Sequence, residues 1–292
     1  MIDAHHHIWR QADLPWLLGP ERPRIFGPYA DIKRDYPIDE YLSDIDCTGI
    51  ARSVYVQANW APNWCADEIA WVQSVAERTG WPHAIVGFLD FTKGDVQPEL
   101  EKLKSFSLLR GFRQQFHWHE NPLYRFAPHA RQLAEPQVAK NIAKLAEYDF
   151  SFDLQVFAGQ MEDASALADA CPDVTFVLQH AGMLEDQSNT GWKVWRAAMK
   201  NLAKRKNVVT KLSAFGTFIH RNDPDFIATM VSETVDIFGA ERCMFGSNFP
   251  IEKLWCSYTD LFAAFQAATA DLTKKQTQLI FNDTAARVYR LD

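Results

Sequence analysis

The chain predicts a single-domain α/β protein, a closed barrel of eight parallel strands wrapped in helices, (β/α)8 or TIM-barrel in architecture, over residues 1–292. Three observations carry that expectation. Apolar runs of strand length recur from end to end and number eight. Stretches of helical period separate most of them, the alternation that a parallel sheet with crossover helices requires. The length suits one such barrel, which takes roughly 250 residues.

In chain order the strands are "IDAHHHIW" (2–9), "SVYVQAN" (53–59), "AIVGFLD" (84–90), "LRGFRQQF" (109–116), "FSFDLQVF" (150–157), "VTFVLQH" (174–180), "NVVTKLSA" (207–214) and "RCMFGSN" (242–248). Helices are expected at "DEIAWVQSVAERTG", "PQVAKNIAKLAEYD", "SALADACP", "GWKVWRAAMKNLAKRKN" and "PDFIATMVSETVDIFGAER", where apolar residues return every three to four positions. The tail "TKKQTQLIFNDTAARVYRLD" reads as a last helix that closes the barrel. A doubly wound open sheet is the rival, but no Gly-rich phosphate turn comes after the first strand. In its place stands "RQADLPWLLGPERPRIFGPYADI", too long for an ordinary βα connection and too aromatic for a linker. Residues of about 9–35 are therefore expected to form a lid-like loop, a wall over the site.

Composition narrows the function classes. With 47% hydrophobic and 23% charged residues the chain is an ordinary globular protein, not a disordered or collagenous one. A net charge of −7 and the lack of any Lys/Arg-rich run argue against nucleic acid and anionic membrane as partners. No apolar stretch is long enough for a membrane span, and the N-terminus lacks a basic region followed by an apolar one, so a cytoplasmic protein is expected. The five cysteines are scattered, odd in number and without a C-x-x-C pair, which reads as reduced thiols rather than a disulfide framework or a nucleophile. A homo-oligomer is compatible with the sequence.

Chemistry is concentrated in the strand ends. Residues i and i+2 of a strand face one side, roughly 6.5–7 Å apart, so His5 and His7 aim together into the barrel while His6 turns to the helices. Two imidazoles so placed can grip one ion or one carbonyl oxygen. An affinity-tag remnant is disfavoured, because an apolar strand runs through these histidines, from Ile2 to Trp9.

These residues, with "GFRQQF" on the fourth strand, "VLQHAG" on the sixth, "RCMFGSNFP" on the eighth and "NDTAARVY" near the end, resemble the amidohydrolase superfamily. The similarity is greatest to its amidohydrolase-related (amidohydrolase 2) branch, which includes sugar-lactonases and the pyrone dicarboxylate lactonase. The resemblance spans essentially the whole chain and implies a hydrolase that opens a lactone of a sugar acid or of an aromatic-degradation intermediate. It makes His5, His7 and His180 the catalytic histidines, or the ligands of one divalent metal, zinc by preference, if a metal is bound. It makes Arg113 the holder of a substrate carboxylate, a task that suits the guanidinium fork.

One departure stands out. Where many members carry a strand-eight aspartate, as metal ligand or as base, this chain has Asn248, and an amide accepts no proton at neutral pH. Three routes stay open: zinc on the three histidines with a bound water; a metal-free site in which the histidines polarise the carbonyl and His180 or Asp153 is the base; or a metal-independent lactone isomerase, which carries asparagine at this position. A metal-dependent decarboxylase and a binding protein that has lost catalysis are further alternatives.

Other polar residues share faces with these. Gln57 ends strand two, Gln115 and His117 come after Arg113 on one face, Asp153 pairs with Gln155 on strand five, and Lys211 with Ser213 on strand seven. Gln57, Gln115, His117, Asp153 and Lys211 are therefore expected beside Arg113 as substrate contacts. Buried polar groups are costly without partners, so they imply a polar pocket. Its basic character favours a small anionic or polyhydroxylated lactone, with Trp9, Trp16, Trp60, Trp64 and Trp118 available for stacking or for plain packing. Asp3 reads as structural.

Overall fold

The computed structural model describes residues 1–291. Eight parallel strands form one sheet in sequential order: β1 Ile2–His6, β2 Arg52–Val56, β3 Ala84–Gly87, β4 Leu109–Gln115, β5 Ser151–Gln155, β6 Phe176–Leu178, β7 Val208–Leu212 and β8 Cys243–Phe245. The ring closes just past β1 and β8, where Asn248 N–H donates to His5 O at 2.7 Å and His7 N–H to Phe249 O at 2.8 Å. All eight expected strands are present. Most are shorter than their apolar runs, because the polar tips of those runs lie beyond the last ladder bond.

Helices Cys65–Thr79, Pro136–Ala143, Met161–Ala170, Asn189–Leu202 and Pro224–Phe238 occupy the expected crossovers. Their starts are legible in side chains: Ser188 accepts from Gly191 N–H, and Asp223 accepts from Phe226 N–H ahead of Pro224 at the first helical position. Helices Ile38–Asp44, Gln97–Leu103 and Tyr258–Ala268 complete the ring. These three carry weaker periodicity and only the structure reveals them. The tail runs as Lys274–Gln278, a π-turn over Leu279–Asp283 and Thr284–Tyr289. Its Ala285, Val288 and Tyr289 pack on Ile2, Val54, Ala84, Val177 and Met244, so the tail stoppers the barrel with apolar surface.

The segment after β1 is a folded wall. Trp9 and Tyr36 exchange backbone hydrogen bonds, both at 2.9 Å, and close the segment into a loop. Leu14, Leu17, Tyr29 and Ile32 are buried beneath it. Trp16 Nε1 donates to Ala58 O at 3.0 Å, and the His220 ring meets Ile25 O at 2.9 Å, tying the wall to the loops after β2 and β7.

Strand β1 is not regular. Its pairing with β2 slips between Asp3 and His6. Strict alternation would put Asp3 and His5 on one face; the slip separates them, which is what an extra residue in a ladder does. Asp3 points to the helices and accepts from Tyr41, Tyr258 and Ser247 hydroxyls at 2.9, 3.0 and 2.6 Å and from Ser247 N–H at 2.8 Å. Burial raises its pKa while these donors oppose the shift. It joins β1 to two helices and the strand-eight loop, the structural role read from the sequence. His6 also faces outward, its ring stacked on Tyr41 at 3.9 Å.

Candidate active site

A cavity of about 570 Å³ opens at the carboxyl ends of the strands. His7, Gln57, Arg113, Gln115, His180 and Asn248 line it, together with Gln155. Each sits at a strand end or within a few residues past it, where side chains turn up from the barrel instead of into its packed layers. The backbone there is unusual. Asn59, His180, Ala181, Met183, Ala214 and Asn248 all have φ between 47° and 61°. Such conformations are costly for non-glycine residues, and their concentration at one end of the barrel marks where the fold spends stability to aim side chains.

The three histidines converge. The His5 ring lies 5.1 Å from that of His7 and 4.8 Å from that of His180, centre to centre. His7 Nδ1 meets Val56 O at 2.7 Å, which puts the proton on Nδ1 and leaves Nε2 a lone pair. His180 Nδ1 meets Ser213 Oγ at 2.8 Å, so its other nitrogen is the one that can face the cavity. His5 is fully buried and neither ring nitrogen has a partner. Gly246 lets it stand there: a Cβ on that residue would lie 2.7 Å from His5 Cβ.

Electrostatics keep all three neutral. Burial, reinforced by Arg113, depresses His7 to about 3. Burial pushes His180 well below its ordinary range, with Arg113 and Lys211 adding to it; for His5 the order is burial, then Lys211. Arg113 is itself buried; its NH2 donates to Gln57 O at 2.5 Å and its Nε is unpartnered. Desolvation lowers it to about 10, so it remains a cation at neutral pH. His117 is buried just outside the cavity lining, packed on Phe126 and Phe157, and depressed to about 3 by burial.

Two expected substrate contacts are engaged elsewhere. Lys211 Nζ and Asp153 Oδ2 form a fully buried ion pair at 2.8 Å, and neither residue lines the cavity. Asp153 also accepts from Gln179 at 2.9 Å and from the Tyr289 hydroxyl of the tail. The pair is fully buried in the barrel between β5 and β7, held toward the tail by the Tyr289 hydroxyl. Asp153 is thereby committed to a cation and two donors rather than to a water.

Asn248 has a neighbour that the sequence did not announce. Its side chain hydrogen-bonds both the His7 ring and the carboxyl of Glu252. Glu252 is 1% exposed, its Oε1 is unpartnered, and burial lifts its pKa to about 8, opposed by Asn248 and by Gly216 N–H. Gly216 is required at that contact, since a Cβ there would lie 2.5 Å from Glu252 Oε2. The turn that carries Ile251 and Glu252 N–H groups to Asn248 O folds the acid back under the amide. An acid four residues past "GSN" was the only signal. Gln114, Asn59 and Arg24 also line the cavity unannounced.

The donor chemistry of the histidines suits a divalent ion, since neutral imidazole is the ligating form and Val56 O and Ser213 Oγ fix two of the rings. The geometry does not: among the described residues no group of three His, Cys, Asp or Glu side chains is placed to hold a metal ion. The strand-eight carboxylate that would extend such a group is the amide Asn248.

Comparison with known proteins agrees with the architecture. The uncharacterised protein y4mH of Sinorhizobium fredii is 34% identical, with 100% of this chain and 98% of that protein covered. An L-fucono-1,5-lactonase of Burkholderia multivorans is 29% identical over 99% of this chain and 96% of its own. An amidohydrolase of Burkholderia multivorans, solved with bound zinc, superposes with a TM-score of 0.83 at 27% identity, covering 100% of this chain and 99% of that one. The amidohydrolase family matches residues 2–291, and the chain belongs to it.

Proposed function

We propose that the protein is a lactone hydrolase whose substrate bears a carboxylate. The observation that carries this reading is a cluster of three buried, neutral imidazoles, two of which, His7 and His180, line one cavity beside the buried cation Arg113, with His5 packed against both. Its family and the lactonase among its relatives support it.

Arg113 binds the substrate carboxylate and so offsets its own share of the depression of His7 and His180, burial being the larger cause. With that repulsion reduced the imidazoles become better bases when substrate is bound. His180 takes the proton as water oxygen bonds to the lactone carbonyl carbon. The Asn248 amide is the donor for the carbonyl oxygen as it gains charge. The ring C–O bond then breaks, its oxygen takes the proton from His180, and a hydroxy acid leaves. His5 and His7 hold the neighbouring rings in register.

A second reading has its own support. Asn248 stands where a carboxylate base would stand, and a substrate hydroxyl in place of water would convert one lactone ring into another. A pH-indicator assay on a panel of carboxylated and sugar lactones tests both. Ring opening at neutral pH releases one proton per turnover, whereas isomerisation releases none. Substrate consumption without proton release would replace the hydrolase reading by the isomerase; no consumption of any lactone would sink both.

A further inference from the structure

The cavity has two halves that differ in chemistry. Its floor is polar and comes from strand ends. Its rim comes from the loops beyond them: Trp9, Trp16 and Phe26 from the wall after β1, Trp60 from the loop after β2, and Phe126 from the loop after β4. Trp9 and Trp16 stand 5.7 Å apart and Trp16 and Phe26 6.2 Å, ring to ring, as one aromatic surface.

The rings of the wall offer the cavity little that a hydroxyl could use. Trp9 Nε1 donates to Arg34 O at 2.7 Å and Trp16 Nε1 to Ala58 O at 3.0 Å, so both indoles turn their polar edge into the protein. A polyhydroxylated group laid against Trp9, Trp16 and Phe26 would lose water and find few partners on those rings, the polar side chains Arg24 and Asn59 lying elsewhere on the lining. An apolar group would lose only unfavourable hydration. The loops that form the rim also carry exposed apolar side chains. Of the five large apolar side chains that are exposed among the described residues, four sit on these same loops: Leu18, Trp64, Leu123 and Phe126. The volume agrees, since about 570 Å³ falls in the range that accepts drug-sized ligands and exceeds what a bare lactone ring fills.

We propose that the substrate is a lactone carrying an aryl or alkyl substituent, with its ring on the polar floor and the substituent between the aromatic side chains of the rim. This rests on the lactone reading and assigns the half of the cavity that reading leaves unused.

The test is a set of δ-lactones sharing one ring and one ring carboxylate and bearing a methyl, hexyl or phenyl substituent, beside a sugar δ-lactone with the same carboxylate, with kcat/KM measured for each. The hexyl or phenyl compound is expected to exceed the methyl compound by at least about ten-fold, the least that a fitted apolar group yields in such a pocket. Phe126→Ala should shrink that ratio. A flat series, or the sugar lactone fastest, overturns the proposal and leaves hydrolysis standing. Binding of the matching phenyl and methyl lactams, which resist opening, is monitored in parallel by tryptophan fluorescence. Tighter phenyl-lactam binding with no lactone opened would remove the hydrolase reading and keep the apolar subsite. Equal binding with no opening removes both.

Discussion

Replacing Glu252 by Gln should make the protein markedly less sensitive to alkaline pH. The carboxyl is 1% exposed and burial holds its pKa at about 8, against an ordinary value of 4.5. Proton binding sets the sign: the native state keeps this proton to higher pH than the unfolded chain does. Its stabilising contribution is whole below about pH 4.5 and is lost progressively as pH rises through about 8. Each pH unit in that window is worth at most about 1.4 kcal/mol. Between pH 5.5 and 8.5 the wild type should therefore lose about 3 kcal/mol through this group, or roughly 5 °C in Tm for a chain of this size. Glutamine keeps the shape and a donor toward Asn248, but it does not ionise. Glu68, lifted by burial to about 7, acts in the same direction in both proteins and cancels in the comparison. Thermal melts of wild type and variant across that range should diverge with rising pH, the variant becoming relatively more stable. Parallel curves would show that Glu252 already ionises in the usual carboxylate range, and the protonated acid beneath Asn248 would be refuted.

Other substitutions address the remaining arguments. Lys211→Met should destabilise by about 3–5 kcal/mol by stranding Asp153 in the barrel, and adding Asp153→Leu should recover much of it, as denaturant titration would show. If the single variant is as stable as wild type, the buried pair is not what fills that layer. His180→Ala should lower kcat by about 10²–10⁴ while the fold, monitored by circular dichroism, is retained; undiminished kcat would move the base elsewhere. Asn248→Asp should raise the proportion of hydrolysis over isomerisation in the pH-indicator assay, whereas an unchanged proportion would mean that position 248 does not govern water attack. Exhaustive chelation should leave lactone opening intact if the imidazoles act directly on the substrate. Loss of activity that zinc restores would instead assign His5, His7 and His180 to an ion.

Much of the site was legible because of where polar residues interrupt apolar strands. His7, Gln57, Arg113, Gln115, His180 and Asn248 each end or trail a run that is otherwise apolar, and in a parallel barrel all such ends meet on one face. The same rule misplaced Asp153 and Lys211. They also sit near strand ends, but how far a side chain stands from the opening depends on the stagger between neighbouring strands, and sequence spacing does not contain it. Asp3 and His5 illustrate the limit from the other side. Their spacing puts them on one face, and the slip in β1 puts them on two.

Local patterns along the chain were enough to specify the barrel, its order of strands and helices and the end at which polar side chains gather. Periodicity and turn chemistry act over a few residues, so they can be read over a few residues. Closure of the barrel settled which polar groups satisfy one another and which stay free: Lys211 with Asp153, His180 with Ser213, Glu252 beneath Asn248, and His5 with no partner. It also turned the indole N–H groups of Trp9 and Trp16 away from the cavity. Those pairings join residues up to dozens of positions apart. Burial sets both their strength and the pKa of each group, and burial exists only once the chain has closed.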